Sequence, residues 1–184
     1  MRSSRGLTVY SGSRECGERI SKMTNSSIKQ HAFPLLHGAD PRILVLGTFP
    51  SPISRAKGEY YGNPRNQFWR LVFGAFDEPF DDPDYDRKLT VLFANAIALC
   101  DVILTCEPEG ALDSGIINPT YKTNLPDLIA HHGITKVLFN GNNAYVFYKR
   151  GIGQIERQVL PSSSPANARM KFDEKLRLWR EQLG

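Results

Sequence analysis

The sequence predicts an α/β fold in three layers, a short four-stranded parallel sheet with helices on both faces. Three observations predict it. Short runs, Ile43 to Leu46 foremost, are apolar at successive rather than alternate positions, as strands buried on both faces are. Between and after them lie segments with apolar residues at helical spacing. Strands that alternate with helices join most simply as a parallel sheet with crossover connections.

The first strand is Arg42-Ile43-Leu44-Val45-Leu46, ended by Gly47. Asn66 to Phe76 carries Phe68, Leu71, Val72 and Ala75 at helical spacing and stops at an acidic stretch containing proline. Arg87 to about Ala96 is the next helix, and Ala98 to Leu104 the second buried strand. Leu125, Pro126 and the residues after them open a helix capped by Thr123 or Asn124 and closed by Gly133. Thr135 to Phe139 is the third strand, Asn143 to Lys149 a helix, and Ile155 to Leu160 the fourth strand. Phe172, Leu176, Trp179 and Leu183 form one stripe, so the chain ends in an amphipathic helix. Residues 1–30 are rich in Ser, Arg and Gly without apolar periodicity, which predicts a disordered tail or a start placed too early, with Met23 as the alternative. A single domain over 31–184 follows.

Charge and composition narrow the function classes. Residues 1–29 hold six basic and two acidic side chains, which is the whole formal excess of +4. In the body 17 basic and 17 acidic side chains cancel, but six of the acids crowd into DEPFDDPDYD, so the remainder can carry a basic face. Three cysteines, Cys16, Cys100 and Cys106, cannot supply a four-thiolate cluster, and the four histidines lack zinc spacing, so neither metal nor cofactor is expected. No run approaches 18 apolar residues and no signal core opens the chain, which predicts a cytoplasmic protein without a membrane span.

Open parallel sheets bind ligands beyond the carboxyl ends of their strands. Four segments should share that rim: 47–66, 105–117, 140–143 and 161–169. In Gly47-Thr48-Phe49-Pro50-Ser51, glycine allows a sharp turn that either merely connects strand to helix or presents amides to an anion or base carbonyl. Tyr60-Tyr61-Gly62-Asn63-Pro64-Arg65-Asn66 places aromatics in what reads as exposed loop, suited to stacking on a flat heterocycle. Asn66 reads equally as a helix cap. Pro161 to Arg169 is either a rigid Ser/Pro loop or a phosphate grip charged by Arg169. Asp113 and Asn140 each have an ordinary reading as turn former or backbone partner, although an amide at a strand end also suits a base edge. No GxGxxG, GxxxxGK[ST] or GxSxG is present, which argues against dinucleotide, P-loop and serine-hydrolase readings.

The order GTFPS, YYGNPRNQFW, ALCDV, GALDSGI, FNG and LPSSSPANA, from Gly47 to Ala168, resembles the uracil-DNA glycosylase superfamily, in particular its DNA-deoxyinosine (hypoxanthine-DNA) glycosylase branch. The resemblance implies a uracil-DNA glycosylase-like sheet and hydrolytic removal of a deaminated base from double- or single-stranded DNA by a monomer. Relatives specific for mismatched uracil have G-I-N-P-G in the first loop, where Asn positions the attacking water. Here Phe49 stands at that place, and the burden passes to Asn66. By the same correspondence Tyr61 stacks on the flipped base, Thr48, Phe49 and Asn140 contact it, and Ser51, Ser162, Ser163, Ser164 and Arg169 serve the DNA backbone and wedge. With no lysine in these motifs, no Schiff base and no strand cleavage are expected. Three competing readings are a broader uracil glycosylase, a non-catalytic DNA binder and a small-nucleotide enzyme.

Overall fold

The computed structural model describes residues 29–108, 115–156 and 158–184. The expected tail up to residue 28, with Cys16 and Met23, and the segment Gly110 to Ser114 with Asp113 lie outside them. In chain order the elements are β1 (Gln30–His31), β2 (Ile43–Gly47), α1 (Pro52–Lys57), α2 (Phe68–Ala75), α3 (Tyr85–Ala94), β3 (Ile97–Asp101) and β4 (Ile103–Pro108). Then come β5 (Ile116–Tyr121), α4 (Leu125–His131), β6 (Lys136–Asn140), α5 (Asn142–Gly151), β7 (Val159–Leu160) and α6 (Phe172–Leu183). Among the described residues no helix is long and apolar enough to cross a membrane.

The main sheet is four-stranded and parallel, in the order β3-β2-β6-β7. The middles of its longer strands are apolar at successive positions because alternate residues enter two cores. Val45, Leu99, Leu138 and Leu160 face Phe68, Leu71, Val72, Leu92 and Trp179 from α2, α3 and α6. Leu44, Leu46, Ala98, Cys100 and Phe139 face Leu125, Ala144 and Tyr148 from α4 and α5. These are the three layers expected, and each fully buried Leu or Phe contributes roughly 1.5–3 kcal/mol through removal from water.

Three expectations need correction. The second apolar run is not one strand: β3 stops at Asp101, and β4 leaves to pair antiparallel with β1 and β5 in a second, three-stranded sheet. Val102 and Ile103 stay fully buried through the bend, their N–H groups donating to the Gly47 and Thr48 carbonyls, so hydropathy shows no break. The second correction is α1, inside a segment read as loop. Ser51 caps it by accepting from Ser54 N–H (3.2 Å), Pro52 occupies its first position, and Gly58 (φ +69°) ends it. The fourth strand, third, is only Val159–Leu160.

Register brings the strand ends level. Gly47 pairs with Asp101 and Asn140 with Leu160, while Leu46 beside Phe139 aligns β2 with β6. All four chains then leave the sheet on one rim.

Candidate active site

A cavity of about 990 Å³ opens along that rim. The turn 47–51, Tyr61, Asn66, Asp101, Asn140 and the 161–167 loop share its wall. Among the described residues lining it, the charged ones are Arg55 and Asp101, and none is a lysine or histidine.

Asn66 stands just before α2. Its Oδ1 accepts from Phe68 N–H (3.0 Å) and its own N–H donates to the Asn63 carbonyl (2.8 Å). Only the oxygen can meet a backbone donor, so this bond fixes the amide orientation and leaves Oδ1 a second lone pair. The cap reading and the catalytic reading are therefore compatible in one side chain.

The paired tyrosines part company. Tyr60 is core, 5% exposed, its hydroxyl donating to the Pro34 carbonyl (3.0 Å), which corrects the expectation of an exposed aromatic. Tyr61 takes φ +53°, a conformation that costs a residue with Cβ about 1–2 kcal/mol. That turn lays its ring flat on Phe68, centroids 3.8 Å apart and planes at 11°. Phe68 is fully buried, so the stack fixes the Tyr61 ring in the cavity wall.

Phe49 lies half-buried in the wall under the Arg55 guanidinium, 5.4 Å from the ring centroid, while Arg55 also donates to the Pro50 carbonyl. Burial pulls the Arg55 pKa down, with the Cys106 thiol opposing. Thr48 is buried beside it. Ser51 is spent on α1, accepting from Ser54 N–H and donating to Ser54 Oγ (3.0 Å).

The 161–169 loop is held from behind. Asn140 and Ser163 bond reciprocally: Asn140 Nδ2 donates to Ser163 Oγ (2.8 Å), and Ser163 N–H donates to Asn140 Oδ1 (2.9 Å). Ser163 is fully buried, so its hydroxyl holds the loop and does not face DNA, unlike the expectation for it. Gln67 N–H donates to the Ser163 carbonyl (3.0 Å), which joins this loop to the segment carrying Asn66. Lys175, only 1% exposed, donates to Gln67 Oε1 (2.8 Å), and Trp179 Nε1 donates to the Pro161 carbonyl (2.9 Å). Burial draws the Lys175 ammonium pKa down. Ser162 and Ser164 remain half-buried in the cavity wall; Arg169 is exposed and lies outside that wall.

Asn140→Ala strands the Ser163 hydroxyl and N–H in the interior. An unsatisfied buried group costs about 1–3 kcal/mol, so chemical denaturation should show a loss of that size, with the slope against denaturant unchanged.

Sequence reasoning missed Asp101. It is 4% exposed, ends β3 and lines the cavity. The available signal was an acid inside an otherwise apolar run, ALCDVIL.

Comparison with known proteins agrees with this fold. The model of the uracil DNA glycosylase superfamily matches residues 33–183. A Methanosarcina acetivorans protein named hypoxanthine DNA glycosylase is 40% identical over 144 residues, 76% of this chain and 89% of that one. A Methanosarcina barkeri protein of the same name is 34% identical over 146 residues, 77% of this chain and 90% of the relative. A solution NMR structure of a Methanosarcina acetivorans protein superposes with a TM-score of 0.65 at 33% identity, covering 85% of this chain and 97% of that one. With a family match across nearly the whole described fold and relatives of this identity, the chain belongs to the uracil DNA glycosylase superfamily.

Proposed function

We propose that this chain is a monofunctional DNA glycosylase that hydrolyses the N-glycosidic bond of a deaminated base, hypoxanthine foremost, and leaves an abasic site. The observation that carries the reading is that Asn66 and the stacked Tyr61 share one cavity at the sheet rim. The names of its two relatives support hypoxanthine as the base.

The target base leaves the duplex stack at a cost of a few kcal/mol, less when it is mismatched. Stacking on Tyr61 offsets roughly 1–3 kcal/mol of that. Asn66, oriented by Phe68 N–H, holds the water through the second lone pair of Oδ1. As the bond breaks, charge gathers on the base, where the amides of Thr48 and Phe49 and the second Nδ2 hydrogen of Asn140 receive it. Ser162, Ser164 and Arg169 take the DNA backbone, with Ser163 supporting them from inside and Ser51 holding the start of α1. Asn66 is a neutral amide and a weak base, which fits slow turnover. The protein works as a monomer without metal or cofactor, one domain over residues 31–184, in the compartment that holds the DNA.

Duplexes carrying inosine, uracil or xanthine, incubated with the protein and then treated with alkali, test this. A break at the lesion only after alkali is expected, fastest for inosine. Strand nicking before alkali, or a complex trapped by borohydride, would show a lysine-type mechanism instead. Salt-sensitive binding with no product on any lesion would favour the non-catalytic reading.

A further inference from the structure

We propose that Lys175 is a positioning residue for base release: its buried ammonium ties the 161–169 loop to the segment that carries Asn66, so that both meet the DNA as one unit. This rests on the glycosylase reading above and gives a role to a buried charge that the reading leaves unused. Lys175 is 1% exposed and does not line the cavity, so it can reach the DNA only through its neighbours. Its acceptors are neutral oxygens, Gln67 Oε1 at 2.8 Å and the Asn167 carbonyl at 3.4 Å. It belongs to none of the ion pairs among the described residues. It also stands at the end of the first turn of α6, where the helix dipole opposes a cation, and the acids of that turn, Asp173 and Glu174, are exposed. A buried ammonium without a carboxylate is costly, and for stability alone an apolar side chain of similar length would serve as well.

What the ammonium supplies is a junction. On one side is Gln67, which holds the cap position of α2 yet makes no side-chain cap; its oxygen turns to Lys175 instead. Asn66 precedes Gln67, and Phe68, whose N–H orients the Asn66 amide, follows it. On the other side is Asn167, whose backbone N–H donates to the Ser164 carbonyl (2.9 Å) and whose Nδ2 donates to the Ser162 carbonyl (3.2 Å). Asn167 thus gathers the two serines that remain in the cavity wall. An ammonium has three donors on a long stem, so one side chain can hold both segments at once. A misplacement of about 1 Å at a reacting group can cost about 100-fold in rate, which is the loss such a junction prevents.

The test measures single-turnover cleavage of an inosine duplex, affinity for it and thermal melting, for the full chain and for Lys175→Met, Gln67→Leu and the double variant. Lys175→Met should release base about 10–100-fold more slowly, with affinity within about threefold of the wild type, because the groups that face the DNA are all still present. The double variant removes both partners of the bond, so it should melt within about 4 °C of the wild type or above it. Its cleavage should nonetheless stay within about threefold of Lys175→Met, since both changes break the same junction. A purely structural tie would move melting and rate together. A double variant that cleaves at the wild-type rate, one that melts well below the wild type, or single losses that add strictly each overturn the assignment and leave the glycosylase reading intact. If Lys175→Met alone does not fold, the double variant still decides. A wild-type protein inert on every lesion removes the glycosylase reading, and this inference with it.

Discussion

Asn66→Ala should lower the single-turnover rate of base release by about 10²–10⁴-fold, the range a positioned proton-handling group supplies, while affinity for the lesion duplex stays within about threefold. The separation is expected because the variant leaves the Tyr61–Phe68 stack and the 161–169 loop untouched. It also removes the acceptor for Phe68 N–H, a loss of about 1 kcal/mol that melting should register without unfolding the protein. Asn66→Asp keeps that acceptor and should restore the melting point, which separates capping from catalysis. Wild-type rates in Asn66→Ala would reduce the residue to a helix cap.

Gly47→Ala should cost about 1–3 kcal/mol of stability through overpacking and lower cleavage by more than about 100-fold. The added methyl meets the Asp101 carboxylate and the Tyr61 hydroxyl together, so one small change disturbs both a buried carboxylate of the cavity wall and the proposed stacking platform. Neither can yield easily, since Asp101 is buried and Tyr61 is pinned on Phe68. The double variant Gly47→Ala/Asp101→Ala should recover much of the stability but not the activity. Such non-additivity is the signature of two groups competing for one space. Strictly additive losses would mean the methyl acts elsewhere.

Hydropathy made the framework legible where one period dominated. Ile43 to Leu46 is apolar at every position because both faces are buried, and Phe172, Leu176, Trp179 and Leu183 repeat at helical spacing. It failed where burial does not change with conformation. Val102 and Ile103 are buried like the strand residues before them, so the passage from one sheet to the other is marked in polarity by Asp101 alone. β5 was hidden by Pro119, which its edge position tolerates, and α1 by having only Ser54 buried. Asn66 and Tyr61 were legible as motif residues. Their local physics, a shared lone pair and a left-handed backbone, was not. Ser163 misled because a Ser/Pro loop reads as solvent-exposed, whereas the reciprocal bond with Asn140 draws it inside.

Mass-spectrometric detection of the released base decides whether this fold hydrolyses a glycosidic bond. Incubation of a duplex with a single inosine should yield free hypoxanthine in a one-to-one ratio with abasic sites, with the sugar–phosphate strand intact and the yield lost in Asn66→Ala. DNA that is bound but returned unchanged, with no free base from inosine, uracil or xanthine duplexes, would contradict the glycosylase reading.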